Sequence, residues 1–93
     1  MRNEFVNRRK PLTSAQLRAA RALLRWSAED LARRSALGVT TIRRAELTES
    51  ETSLTAANDQ AVRRALEAAG VEFIDENGGG PGVRLRKHRQ EKS

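Results

Sequence analysis

The sequence has 93 residues, no cysteine and a formal net charge of +6. A chain of this length encloses one modest hydrophobic core, and without thiols it forms neither disulfides nor cysteine-ligated zinc sites. No apolar run is long enough to cross a membrane, and no charged-then-apolar N-terminus predicts a signal peptide. We therefore expect a cytoplasmic protein with a polyanionic partner, most simply nucleic acid, and a membrane surface is the competing explanation.

Residues 1–11 are predicted to form a flexible basic arm. The charged residues of this segment, four basic and one acidic, are Arg2, Arg8, Arg9, Lys10 and Glu4. Such an arm can lie along a DNA groove, and the same composition is equally usual in a tail that keeps a protein in solution. The far end, residues 87–93, is predicted to be a second basic tail without fixed structure.

A first helix is predicted from Ser14 to about Arg25. The residues T-S-A-Q at 13–16 form a capping box, and Leu12 is placed to pack on Leu17 across the helix start. Apolar residues recur at helical spacing and should form its buried stripe; they are Leu17, Ala20, Leu23 and Leu24.

Residues 27–46 are predicted to form two short helices joined by a tight turn. Ser27 is a suitable N-cap for the first of them. Glu29 and Asp30 then place negative charge at the positive end of that helix, which should begin at Ala28.

The second helix of this pair is predicted over about 39–46, with Gly38 at or next to its start. Val39, Ile42 and Ala45 share one apolar face. The opposite face carries polar side chains, namely Thr40, Arg43 and Arg44. A helix that reads DNA needs this division, because its inner face packs closely while its outer face offers donors to bases and phosphates. From the pattern alone, a helical hairpin with a solvated basic face explains these residues equally well.

Specific residues within this segment match a known pattern. They are Leu31 and Ala32, a small residue at Ala36 in the turn, Thr41 and Ile42, and the closing Glu46. With them the segment resembles the helix-turn-helix of the lambda repressor and Cro-like (XRE) family of bacterial transcriptional regulators, over residues 12–70. The sequence departs from the family twice: Ala36 takes the place of the usual turn glycine, and Ala28 stands where many relatives have a glutamine that grips a phosphate.

The resemblance also implies an ion pair between Arg21 and Glu46, because similar family members place an arginine there that pairs with the closing glutamate. The pair would fix the orientation of the recognition helix, the one predicted over about 39–46. The alternative is that both side chains are solvated and contribute ~0–1 kcal/mol.

A polar connector over 47–53 is expected to precede a last helix, which should begin after Thr55 and end at Gly70. Its apolar face is predicted to consist of Ala61, Val62, Ala65, Leu66 and Ala69. Its solvated side is predicted to consist of Asn58, Asp59, Arg63, Arg64 and Glu67.

Residues 71–86 change to a period of two on either side of D-E-N-G-G-G-P-G, which predicts a β-hairpin with a long glycine-rich loop. A phosphate-binding loop does not fit, because no G-K-[ST] and no helix follow the glycines. A two-stranded ribbon is marginal alone, so it should pack on the helices through Phe73 or pair its edge with another copy. A dimer surface is expected at the hairpin edge or on the exposed part of the last helix, with Val71, Phe73 and Ile74 as its apolar contributors.

Together these features predict a mainly α protein, a four-to-five-helix lambda repressor-like DNA-binding domain with a C-terminal β-hairpin and basic tails. The expected function is a sequence-specific transcriptional regulator, a repressor or an activator, that binds double-stranded DNA as a homodimer on an inverted repeat. Val39 and Thr40 should touch base edges, and Arg43 should contact guanine. Arg44 could contact either a base or a phosphate. Ser27, Thr41 and the free amides at the start of the helix that begins at Ala28 are expected to hold phosphates, and Gly38 is counted among the DNA-binding residues.

A second function stays open, since Cro-like folds of this size also occur in antitoxins and anti-activators that act mainly through a partner protein. An enzyme is the least expected class, because the single histidine, His88, lies in the basic tail and no catalytic constellation is visible. We expect no cofactor, no metal and no membrane partner, and a cytoplasmic, nucleoid-associated protein.

Overall fold

The computed structural model describes residues 10–86. Within that range the chain forms four α-helices and one two-stranded antiparallel hairpin. The elements are α1 (Ser14–Leu24), α2 (Ala28–Ser35), α3 (Val39–Ala45), α4 (Ala56–Ala68), β1 (Val71–Ile74) and β2 (Gly82–Leu85). The prediction of a mainly helical protein with a C-terminal hairpin is therefore confirmed. Residues 1–9 of the predicted arm and the predicted tail over 87–93 lie outside the described residues.

The start of α1 is the predicted capping box. The Thr13 hydroxyl accepts a hydrogen bond from the Gln16 amide at 3.0 Å, and the Gln16 side chain accepts one from the Thr13 amide at 3.0 Å. The helix ends at Leu24 because Arg25 adopts a left-handed conformation with φ of 59°. Leu17 is fully buried, but Leu23, which was predicted to join the buried stripe, is 40% exposed.

The turn between α2 and α3 has the predicted form. Helix α2 begins at a second capping box. The Ser27 hydroxyl accepts a hydrogen bond from the Asp30 amide at 3.0 Å, and the Asp30 carboxylate accepts one from the Ser27 amide at 2.9 Å. It ends at Ser35, and Ala36 then adopts a left-handed conformation with φ of 61°. Ala36 therefore adopts a backbone conformation that costs less free energy for glycine than for a residue with a side chain.

One hydrophobic core joins the four helices to β1. Its members are Leu12, Leu17, Ala20, Ala28, Leu31, Ala32, Ile42, Ala45, Val62, Leu66 and Val71. Partly buried residues, among them Trp26, Leu37 and Phe73, pack against this cluster. The core thus lies beneath the α2–α3 pair and holds both helices on the rest of the protein.

Two charged residues of α4 depart from the sequence prediction. Asp59 and Arg63 were expected on the solvated side, but they are 4% and 1% exposed. The Arg63 Nε donates to Asp59 Oδ1 at 2.8 Å, and the second Asp59 oxygen accepts from the Leu12 amide at 2.9 Å. Arg63 also donates through Nη2 to the Lys10 carbonyl oxygen. The pair is buried because the segment before α1 lies against α4, where its backbone groups need partners.

The hairpin is attached to α1. Its register pairs Val71 with Leu85 and Ile74 with Gly82. The Gln16 side-chain amide donates to the Gly82 carbonyl oxygen at 3.0 Å. Val71 is fully buried in the protein's own core, because it directly follows the chain reversal that lays β1 against α4. The prediction that Val71 contributes to a dimer surface is therefore wrong.

Phe73 and Ile74, the other predicted dimer residues, are partly exposed. The Phe73 ring packs against the core, as predicted, and lies 5.5 Å from the Arg63 guanidinium carbon. The loop between the strands is organised by Glu76, whose carboxylate accepts from the amides of Gly78 at 2.9 Å and Gly80 at 3.2 Å.

Candidate nucleic-acid interface

The two faces of α3 differ as the sequence predicts. Ile42 and Ala45 are 0% and 2% exposed and pack into the core. The side chains opposite them are exposed, and together they form what we call the outer face of α3, namely Thr40, Arg43 and Arg44. This face offers one hydroxyl and two guanidinium groups to solvent, all donors suited to base edges and phosphates.

The remaining predicted residues lie at the ends of the same helix pair. Val39 and Thr41 are partly buried, and Gly38 is the exposed N-cap of α3. Gly38 has φ of −72°, so its backbone does not require glycine, and it supplies no side-chain cap to α3. Ser27 is exposed at the start of α2, where its hydroxyl oxygen accepts a hydrogen bond from the Asp30 amide.

Three side chains of α1 hold the end of α3. Ser14, Arg18 and Arg21 lie on one face of α1, and we call them the α1 clamp. Ser14 donates through its hydroxyl to the Ala45 carbonyl oxygen, and Arg18 donates to the Glu46 carbonyl oxygen at 2.6 Å. The two arginines also place positive charge at the negative end of the α3 dipole. The sequence prediction included Arg21 but missed Ser14 and Arg18, although their spacing on the same helical face was a visible signal.

Arg21 and Glu46 form the predicted ion pair. The Arg21 Nε and Nη2 donate to the two Glu46 carboxylate oxygens at 2.6 and 2.8 Å, and Nη1 donates to the Trp26 carbonyl oxygen at 2.8 Å. The side chains of Arg21 and Glu46 are 23% and 9% exposed, which contradicts the alternative that both are solvated. The hydrogen bonds that Arg21 donates to Glu46 raise the pKa of Arg21, and burial acts in the opposite direction.

The two neighbouring arginines of the outer face have different surroundings. Arg43 contacts the Glu29 carboxylate of α2 through Nη2, and the two side chains are 55% and 56% exposed. The Arg44 side chain has no hydrogen bond or ion pair with any residue in the range 10–86. The sequence prediction did not foresee the contact of Arg43, because Glu29 was assigned only to the positive end of α2.

The start of α2 carries two ionised carboxylates. The pKa of Glu29 is lowered first by its own backbone amide and then by the charge of Arg43. The pKa of Asp30 is lowered first by the Ser27 amide and then by its hydrogen bond with Arg33. These carboxylates already occupy part of the anion-attracting end of α2, and hydrogen bonds from the Ser27 side chain also lower the pKa of both.

Comparisons with known proteins add no relative from which to transfer a role. No protein-family model matches the chain, and no curated protein matches it significantly.

Between residues 10 and 86, no helix is both long and apolar enough to span a membrane. The same part of the chain contains no group of three or more histidine, cysteine or acidic side chains arranged to hold a metal ion.

Proposed function

We propose that the protein is a sequence-specific, double-stranded DNA-binding transcriptional regulator of the lambda repressor and Cro-like (XRE) kind, with α3 as the helix that enters the major groove. The observation that carries this proposal is the outer face of α3, which exposes three donors on a helix whose other face is buried. Because the α1 clamp fixes the end of α3, its donors are presented in one orientation. A fixed orientation is what hydrogen bonds to base edges require.

We assign the DNA contact of each residue from the chemistry of its side chain and from its exposure. Thr40, with Val39 beside it, lies at the first turn of α3 and reaches base edges or thymine methyl groups. Arg44 has all its donors available, so it serves either a guanine or a phosphate. Arg43 contacts guanine after its contact with Glu29 is broken. Ser27 and Thr41 are at the edge of this surface and donate to phosphates.

One copy of α3 covers too few base pairs to select a single genomic site. The regulator therefore acts as a homodimer on an inverted repeat, with the two half-sites one helical turn apart. The partly exposed Phe73 and Ile74 of β1 remain the proposed apolar contributors to the dimer surface. The protein acts in the cytoplasm at the nucleoid, and its net charge of +6 favours association with DNA.

A second candidate function is that of an antitoxin or anti-activator that binds a partner protein. The observation that favours it is Leu47, which follows α3 directly and is 80% exposed. Glu49 and Glu51 are exposed in the same connector. An exposed leucine flanked by carboxylates suits a protein surface better than a phosphate backbone.

Selection from a random duplex pool at ~0.15 M salt tests the main proposal, since phosphate attraction alone is weak under those conditions. We expect an enriched inverted repeat with half-sites about 10 base pairs apart. Recovery of no preferred sequence would contradict sequence-specific recognition and favour the partner-protein function.

The recovered duplex then tests the outer face of α3. Arg44→Ala and Arg43→Ala remove one charge each, and the matched control is Arg64→Ala, an exposed arginine of α4 without a partner in the described chain. Loss of a guanine contact should weaken binding to the recovered duplex about 5- to 150-fold, with a much smaller effect on a scrambled duplex. Equal losses on both duplexes from Arg43→Ala would show that Arg43 contacts only the backbone.

A further inference from the structure

The loop between β1 and β2 carries an asparagine that the fold does not require. Asn77–Gly78 is the only Asn-Gly step in the sequence, and both residues are exposed. The Asn77 side chain makes no hydrogen bond with any residue between 10 and 86. The backbone at Asn77 is not left-handed either, so the turn does not favour asparagine over other residues at this position.

The glycine that follows makes this asparagine chemically reactive. The covalent chain places the Gly78 backbone nitrogen where it can attack Cγ, the side-chain carbonyl carbon of Asn77. A bond forms between these two atoms, the bond from Cγ to the side-chain nitrogen breaks, and ammonia leaves with the proton of the Gly78 amide. Water then opens the succinimide ring at either carbonyl, which yields aspartate or isoaspartate. Water is therefore the only co-reactant.

The surroundings of Gly78 leave this reaction unobstructed. A side chain on the residue after the asparagine would crowd the attacking nitrogen, and glycine has none. Nothing lies within 4 Å of the position that a Cβ atom would take at Gly78. Asn58 has the opposite surroundings, because it lies within α4 and is followed by Asp59. Helical backbone and a neighbouring side chain both oppose ring closure there.

One contact within the loop opposes the reaction at Asn77. The Gly78 amide donates a hydrogen bond to Glu76 Oε2 at 2.9 Å, and the same oxygen accepts one from the Gly80 amide at 3.2 Å. The Gly78 nitrogen attacks only after it loses its proton, and a negatively charged acceptor keeps that proton on the nitrogen. A carboxylate is far too weak a base to remove an amide proton, so Glu76 restrains the nitrogen and does not activate it.

We propose that Asn77–Gly78 is a site of spontaneous succinimide formation and hydrolysis, and that the Glu76 carboxylate slows this reaction by holding the Gly78 amide. Because the hydrogen bond is exposed, its loss should accelerate the reaction about 3- to 10-fold. The product carries a third carboxylate beside Asp75 and Glu76, and isoaspartate also lengthens the backbone of the loop by a methylene group. The inference does not depend on the proposed function.

The test follows the full chain at neutral pH and physiological temperature by peptide mapping and mass spectrometry. Asn77 should convert to aspartate and isoaspartate, which chromatography separates, while Asn58 of the same molecules stays intact. Glu76→Ala should convert about 3- to 10-fold faster than the wild type. The matched control is Asp75→Ala, which removes an exposed carboxylate without a partner in the described chain and should change the rate less than about 2-fold.

Unfolding separates the effect of the hydrogen bond from that of the neighbouring sequence. In concentrated urea the contact between Glu76 and Gly78 is absent, so the wild type and Glu76→Ala should convert at equal rates. Because Asp75 and Glu76 are both exposed, circular dichroism should show the same helix content in the wild type and in the two variants.

Several results would overturn the proposal. If Asn77 converts no faster than Asn58 in both the wild type and Glu76→Ala, Asn77–Gly78 is not a modification site. Aspartate without isoaspartate would show direct hydrolysis of the side chain in place of a succinimide. If Glu76→Ala converts no faster than Asp75→Ala, or if its acceleration persists in urea, Glu76 does not restrain the Gly78 amide.

Discussion

Substitution of Arg21 by alanine tests how firmly α3 is held on the domain. The change removes both hydrogen bonds to Glu46, whose side chain is only 9% exposed, and the bond to the Trp26 carbonyl oxygen. Breaking a fully buried ion pair costs about 3–5 kcal/mol. Because Arg21 is itself 23% exposed, water reaches the site and we expect a loss of about 2–3 kcal/mol in the free energy of unfolding.

That loss is large for a domain of this size. One kcal/mol shifts the melting temperature of such a domain by about 4–8 °C, so Arg21→Ala should melt about 10–20 °C below the wild type. The measurement is thermal and urea unfolding followed by circular dichroism. The matched control is Arg33→Ala, which breaks an exposed pair with Asp30 and should cost under about 1 kcal/mol.

A double-mutant cycle separates the pair from other effects of truncation. Glu46→Gln should cost less in the Arg21→Ala protein than in the wild type, because the charge that it removes is already unpaired there. If Arg21→Ala is no more destabilising than Arg33→Ala, or if the two substitutions at the pair are additive, the ion pair does not hold α3.

Three further predictions concern stability. Ala36→Gly should raise the free energy of unfolding in urea by about 0.5–1 kcal/mol, because Ala36 is left-handed, whereas Ala22→Gly within α1 should lower it by about 1 kcal/mol. Asp59→Asn should cost about 3–5 kcal/mol in the same assay, since it leaves the charge of Arg63 buried without its partner, and a loss below about 1 kcal/mol would contradict that role. The pKa of Asp30 is lower in the folded protein than its ordinary value of 3.8, so the ionised carboxylate stabilises the fold above about pH 3.8. Below that pH the free energy of unfolding should fall, because the carboxylate of the folded protein becomes protonated. Asp30→Asn should therefore flatten the dependence of the urea midpoint on acid pH.

Local signals in the sequence account for much of the fold. The capping boxes at Thr13 and Ser27 and the turn at Ala36 involve residues no more than five positions apart, so their chemistry is visible in the sequence. The same holds for the two faces of α3, which follow from helical spacing. The Arg21 and Glu46 pair connects residues 25 positions apart, and only the family resemblance suggested it.

The features missed by the sequence analysis depend on how distant segments meet. Asp59 and Arg63 follow a pattern that suits a solvated helix face, but the backbone of the segment ending at Leu12 and the Phe73 ring lie against them. Glu29 meets Arg43 only through the crossing of α2 and α3. No periodicity in a single element contains that information.

The attachments of α1 also have a consequence for the order in which the protein is made. Arg21 bonds to a residue 25 positions later, and Gln16 bonds to Gly82, which is 66 positions later. During synthesis α1 is therefore made before either partner. Contacts of such separation close long loops and form slowly. The attachment of α1 to the hairpin is thus completed only when the closing strand has been translated, after the partners that hold the end of α3 have been made.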